Sequence, residues 1–234
     1  MINLSSPLPE LVLNALSSPA VVSEHQVHVN SDRWQKVLGD KGLAAAGGKL
    51  GSGGRITISR QELFDLGQQT PSPSQAMQLL YHSLAWGLGL PGSWLHRRLD
   101  GLAKDQTNAA RILETAWLAI RSGESTQEVY SLLTTQRGAG RIPRLGPAFG
   151  TKFLYFAQGT QAEPNHLILD RVVAGRLKHL DVWPDARNDS WGPAVYSAYC
   201  QLLNQWAHQA TERTGSEVPV RADQIEHTLF KLKV

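Results

Sequence analysis

The chain has 234 residues, a length that holds one or two domains. With 41% hydrophobic and only 18% charged residues, 21 Gly and 12 Pro, it is neither wholly disordered nor collagen-like. Its one cysteine, Cys200, excludes an intramolecular disulfide, a Cys-rich zinc module and a protein-held iron–sulfur cluster, and a formal charge of +3 leans only slightly towards an anionic partner.

The first stretch, MINLSSPLPELVLNAL, carries no Lys or Arg before its apolar run and does not read as a secretory signal. No stretch reaches the roughly 20 apolar residues of a membrane span, so a soluble, reduced, cytoplasmic chain is the expectation. His25 and His28 fall in a polar segment and are expected to be solvated. Residues 39–54 hold seven glycines, which is too much backbone freedom for a regular element. A mobile loop or linker is expected there, inside an N-terminal segment of residues 1–70 that precedes a helical body of residues 71–234. Arg55-Ile-Thr-Ile-Ser59 is the one candidate strand, and a helix is expected to start at Ser59 with Glu62 at the capping-box position.

The body reads as all-α. From Ser74, the residues Met77, Leu80, Tyr81, Leu84, Ala85 and Leu88 make one helical stripe. The spacing recurs at Ala109, Ile112, Leu113, Ala116, Trp117 and Ile120, with Gly123 as a stop. Ser125 and Glu128 form a capping box for a helix ending near Gln136. A second helix is expected from about Phe149, then an irregular connection over 160–169, then a helix through Val173, Leu177 and Leu180. Residues 194–212 carry Val195, Tyr199, Leu202, Trp206 and Ala210. The last helix runs from Asp223, where Asp-x-x-Glu repeats the capping pattern, to about Phe230. Trp117 and Trp206 lie on these stripes and belong to the core.

Charge is uneven. From Lys41 to Gln61 there are four basic residues (Lys41, Lys49, Arg55, Arg60) and no acid, and from Val129 to Ala162 there are again four (Arg137, Arg141, Arg144, Lys152) and no acid. These are either two solvated faces or two phosphate-contacting regions on a polyanion.

The second of these segments holds the most informative stretch, Arg141-Ile-Pro-Arg-Leu-Gly-Pro-Ala-Phe-Gly-Thr-Lys-Phe-Leu-Tyr-Phe-Ala157. It reads as the turn of a helix-hairpin-helix over residues 125–158. Gly138, Gly140, Pro143, Gly146 and Pro147 stop the first helix. The start of the second offers N–H groups and a helix dipole to a phosphate, with Lys152 expected in its first turn. Asp170 follows Lys152 by 18 residues, after the apolar run Leu167-Ile-Leu, and is placed to cap the next helix.

Gly146-Pro-Ala-Phe-Gly-Thr-Lys152 followed by Leu169-Asp170 resembles the helix-hairpin-helix DNA glycosylases. Their signature is a Leu-Pro-Gly-Val-Gly-x-Lys hairpin, an apolar connection and a catalytic Asp capping the next helix. The wider wording, FGTKFLYFA then HLILDRVVAGRL, is similar to bacterial proteins with an 8-oxoguanine DNA glycosylase fold. The likeness spans about residues 75–232, with Ala148 where the first hairpin Gly stands. The four-Cys cluster of the endonuclease III branch is absent.

The resemblance implies an all-α, helix-hairpin-helix glycosylase-like fold and excision of a damaged, 8-oxoguanine-type base. It implies Lys152 as nucleophile and abasic-site lyase, and Asp170 as the carboxylate that stabilises the oxocarbenium-like transition state. Arg144, Gly146, Pro147, Ala148, Phe149, Gly150, Thr151 and Arg171 would contact DNA. In the family's last helix a Gln and a Phe one turn apart grip the extruded base. Glu226 and Phe230 stand there, and Glu226 reads equally as the capping partner of Asp223. An ionised carboxylate only accepts hydrogen bonds, which suits a guanine-type edge or a cytosine N4 amine. The implied partner is double-stranded DNA with one base extruded into a pocket, met by a monomer away from membranes. No cofactor is required and the eight His residues show no metal spacing. Family hairpins can hold an alkali cation through backbone carbonyls. Two alternatives stay open: a phage-defence glycosylase that removes modified cytosines, and a non-catalytic DNA-binding module.

Overall fold

Local capping and packing set the order of elements in the computed structural model, which describes residues 1–89, 93–161 and 163–233. The N-terminal part runs α1 (Glu10–Asn14), α2 (Pro19–Ser23), β1 (Gln26–Asn30), α3 (Ser31–Asp40), a 3₁₀ turn (Gly48–Gly51), β2 (Arg55–Ser59) and α4 (Arg60–Gly67). The body follows as α5 (Pro73–Leu88), α6 (Ser93–Ala103), α7 (Gln106–Arg121), α8 (Thr126–Leu133), α9 (Pro147–Ala157), α10 (Arg171–His179), α11 (Pro193–Thr214) and α12 (Ala222–Lys231). The fold is therefore mainly helical, as expected. Ala162 and Val234, which close two of the ranges above, lie outside the described residues.

The capping boxes Ser59/Glu62 and Ser125/Glu128 both form, each side chain bonding the other's backbone N–H. The third expected box does not. Arg221 precedes α12, its N–H bonds Gln224 Oε1, and Asp223 lies inside the first turn. Glu226 is thereby released from capping.

Several elements lie outside the sequence expectation: helices α1, α2 and α6, the strand β1 and helix α3. β1 pairs antiparallel with β2 from Gln26↔Ser59 to Asn30↔Arg55, and over five residues only Val29 is buried, too few to show an alternation. Helix α3 buries Trp34, Val37 and Leu38 one turn apart and starts at Asn30, whose side chain accepts from Arg33 N–H. The glycine-rich run expected to be a loose linker is tied down. Gln35 Nε2 donates to the Ala46 carbonyl at 2.6 Å, Gly47 N–H donates to Gln78 Oε1 at 2.7 Å, and Leu50 is fully buried. Glycine fits here because Gly42, Gly48, Gly53 and Gly54 take positive φ and a Cβ on Gly51 would lie 2.4 Å from the Ala46 carbonyl oxygen.

One hydrophobic core takes residues from both parts, from Leu8 through Trp34 and Leu63 to Trp117, Trp206 and Leu229. Trp206 Nε1 also donates to the Ser6 carbonyl at 2.9 Å, which fastens the N-terminal segment before α1 to α11. No helix among the described residues is long and apolar enough to cross a membrane.

The connection from α9 to α10 contains a titratable weak point. His166 is buried, its Nδ1 has no hydrogen-bond partner among the described residues, and burial pulls its pKa down to about 4. The unfolded chain therefore binds one more proton than the folded chain between about pH 6.5 and pH 4. Stability is full above pH 6.5 and falls as pH drops through that window, by about 3 kcal/mol from this group. Melting wild type and His166→Gln at pH 7 and pH 4.5 checks this: the variant is expected to lose less on acidification, and equal losses refute it.

Candidate active site

The hairpin sets the first functional side chain. Gly146 takes φ 77 ahead of α9 and Pro147 opens the helix, where its missing N–H costs nothing. Phe149 and Gly150 N–H both bond back to the Gly146 carbonyl. Because α9 starts at Pro147 rather than near Phe149, Lys152 stands in the second turn, not the first. The macrodipole has decayed there. Lys152 is only 7% exposed, among the inward residues Phe153, Leu154 and Phe156. Its Nζ lies 5.8 Å from the centroid of the Phe149 ring.

The second functional group comes from the start of α10. Asp170 is extended and caps the helix: its Oδ1 accepts from Val172 N–H at 2.9 Å and Val173 N–H at 3.1 Å. Its other oxygen, Oδ2, is 3.2 Å from Lys152 Nζ. Burial alone would raise the Asp170 pKa, but the Lys152 charge and the two N–H donors outweigh it and hold the carboxyl below its ordinary value. The approach to Asp170 is rigid. Tyr199 OH donates to the Ile168 carbonyl at 2.7 Å, and Thr151 Oγ1 accepts from Leu169 N–H at 3.2 Å. Buried backbone polar groups need such partners, so these hydroxyls fix where the carboxylate sits.

Lys152 and Asp170 line a cavity of about 270 Å³ together with Glu226, Phe230, Arg60 and Trp86. The Lys152, Asp170, Glu226 and Phe230 picked out in the sequence thus share one space. At its floor, Arg60 Nη2 donates to Glu226 Oε2 at 3.0 Å, and both side chains are 1% exposed. Arg60 Nη1 donates to Tyr155 OH at 3.0 Å, which in turn donates to Asp223 Oδ2 at 2.8 Å. Arg221 holds that Asp223 through two further bonds. The Arg60 guanidinium lies 5.2 Å from both the Trp86 and Tyr155 rings. Burial and the nearby Asp170 charge push the Glu226 carboxyl up to about 7, while Arg60 and Lys152 pull against them.

Arg60 was expected on an exposed basic face, either solvated or phosphate-contacting, and is instead fully buried. His25, expected to be solvated, packs edge-on to Trp86 with centroids 5.1 Å apart and lines the same cavity. Burial, then the Arg60 charge, lowers its pKa to about 4. Of the residues expected at DNA, Arg144 and Arg171 are exposed, and Gly146, Ala148 and Phe149 are partly so. Pro147, Gly150 and Thr151 are buried, because the inner face of α9 packs on the body, and Thr151 serves Leu169 instead. His25, Arg60 and Trp86 escaped the sequence reading. No local pattern marks them, since each is defined by what folds over it.

Chemically, a cation and a carboxylate meet at the edge of a half-enclosed cavity with aromatic walls and a charged floor. That arrangement can hold a planar heterocycle and act on an atom attached to it. Comparison with curated proteins and with solved structures finds no match. Residues 20–230 do match the model of the family described as "Putative 8-oxoguanine DNA glycosylase OGG-like protein", a span that takes in the hairpin, both carboxylates and the N-terminal wall of the cavity, and the chain belongs to that family.

Proposed function

We propose that the protein is a bifunctional DNA glycosylase that removes an oxidised, 8-oxoguanine-type base and then cleaves the abasic site. The observation that carries this reading is Lys152 Nζ at 3.2 Å from Asp170 Oδ2 on the wall of the cavity. The base enters the cavity and the sugar C1′ comes to its mouth. Asp170 stays ionised and stabilises the positive charge that develops on the sugar as the N-glycosidic bond breaks. Lys152 gives up one proton, which leaves with the base. Its Nζ then bonds C1′, and ring opening yields a protonated Schiff base. Loss of the C2′ proton eliminates the 3′ phosphate. At the cavity floor the Glu226 carboxylate accepts from the base's N–H groups, and Phe230 packs on its face.

The test is borohydride trapping on a panel of duplexes carrying 8-oxoguanine, an abasic site, 5-hydroxymethylcytosine or glucosylated cytosine. A covalent complex with the 8-oxoguanine and abasic duplexes is expected. Trapping confined to the modified cytosines would keep the chemistry and overturn the base. DNA binding with neither trapping nor base release on any duplex would overturn the enzyme reading in favour of a binding module.

A further inference from the structure

The cavity that holds Lys152 and Asp170 has one polar side chain left over. Among the described residues that line it, the charged groups are joined in two ion pairs, Lys152–Asp170 and Arg60–Glu226. Trp86 Nε1 donates to the His25 carbonyl at 3.4 Å. The His25 imidazole has no such engagement: its Nδ1 is buried without a hydrogen-bond partner among the described residues. A polar group removed from water and left unpaired is costly, so a ligand that pairs with the ring is favoured.

The ring is also held in place. The His25 carbonyl accepts from Arg60 N–H at 3.0 Å as well as from Trp86, which fixes the residue at the entry to β1. The ring stands edge-on to Trp86 and to His227, with centroids 5.1 and 5.2 Å away, and 6.3 Å from Phe230. His227 and Phe230 lie on α12, the helix that carries Glu226. Burial and the Arg60 and Lys231 charges keep the imidazole neutral down to about pH 4, so it offers one donor and one acceptor.

We propose that His25 is a specificity-determining residue: its imidazole hydrogen-bonds the edge of the extruded base that Glu226 leaves free. This rests on the glycosylase reading and deepens it. The Glu226 carboxylate accepts from N–H groups on one edge of the base, and the sugar side is turned to Lys152 and Asp170. The edge that remains on an 8-oxoguanine-type base carries N7–H and the C8 carbonyl, a donor beside an acceptor. A neutral imidazole pairs with either, whereas lysine and arginine only donate and an ionised carboxylate only accepts. A base with no polar atom on that edge leaves the imidazole unpaired and is disfavoured for that reason.

The test compares release of the base with trapping of a preformed abasic site, where no base is left to read. In single turnover, His25→Phe is expected to slow release of 8-oxoguanine about 10–100-fold, because its ring still packs on Trp86 but has no polar atom. Its borohydride trapping on an abasic duplex is expected to stay within about threefold of wild type. His25→Gln, which returns a donor and an acceptor, is expected to recover most of the lost rate. A folded His25→Phe that releases the base within about twofold of wild type overturns the proposal. So does a loss of release and trapping by the same factor, the mark of a merely structural role. A second arm uses wild type, so no variant has to fold. Nitrogen NMR of the histidines is expected to show an imidazole gaining a hydrogen bond with a duplex that carries a non-cleavable 2′-fluorinated 8-oxoguanine nucleotide, and not with an abasic analogue. Identical histidine spectra with the two duplexes overturn the proposal. Wild type that releases no 8-oxoguanine removes the function above and this proposal together. Release by wild type with an unaffected His25→Phe removes this proposal alone.

Discussion

Lys152→Ala is expected to abolish borohydride trapping and to slow base release by at least about 100-fold, while duplex binding stays within about tenfold of wild type. The first effect follows from composition of the site: Nζ is the amine that lies beside Asp170 at the cavity wall, and alanine leaves no nucleophile to form the imine. The second follows from charge counting, since one lysine at 7% exposure can neutralise at most one phosphate. The fold is expected to persist, because Asp170 keeps its two backbone donors, Val172 and Val173, when the lysine is removed. Asp170→Asn serves as the companion measurement. The amide oxygen can still cap α10, but the negative charge is gone, so base release should fall while trapping on a preformed abasic site survives better. Undiminished trapping in Lys152→Ala would exclude Lys152 as the nucleophile.

The pair was legible in the sequence for a physical reason. Both residues belong to local devices, a glycine-proline stop before one helix and an Asp cap before another, and such devices are written in contiguous residues. The amphipathic stripes of α5, α7 and α11 and the boxes at Ser59 and Ser125 were readable in the same way. What was not legible is what depends on distant chain. Arg60 and Glu226 are 166 residues apart, and nothing near Arg60 distinguishes a buried arginine from a surface one. Its place in an acid-free basic segment pointed outwards, yet its own counter-charge, Glu226, lies near the far end of the chain. The Asp223/Glu226 spacing misled for the complementary reason: a capping pattern is only a capacity, and here Gln224 takes the bond while a tertiary partner claims the glutamate. The glycine run over 39–54 also reads as freedom until Gln35 and Gln78 are seen bonding its backbone. Residues 1–70 accordingly supply His25 and Arg60 to the cavity, a role that their own sequence does not announce.

Arg60→Met is expected to destabilise the fold by about 3–5 kcal/mol, a fall in Tm on the order of 10 °C for a chain of this size. Methionine matches the volume but leaves the Glu226 carboxylate buried without its cation and Tyr155 OH without its donor. The loss should depend on pH with a definite sign. Native Glu226 titrates at about 7, above the ordinary carboxylate value of 4.5 from which it is raised. The folded chain therefore holds the proton that the unfolded chain releases between those values, and this group's contribution to stability falls as pH rises through about 7. Without Arg60 the neutral form is favoured further, so the deficit of Arg60→Met should be larger at pH 8 than at pH 5.5, where the glutamate is protonated in both proteins. The double variant Arg60→Met/Glu226→Leu removes both charges and should regain most of the lost stability, because a buried ion pair replaced by apolar side chains is often neutral. It should not regain base release, since the floor of the cavity then has no acceptor for the base. Denaturant melts at the two pH values together with base-release rates decide the matter. A deficit for Arg60→Met that is small, or equal at pH 5.5 and pH 8, would show that the guanidinium is not what holds the Glu226 carboxylate in place.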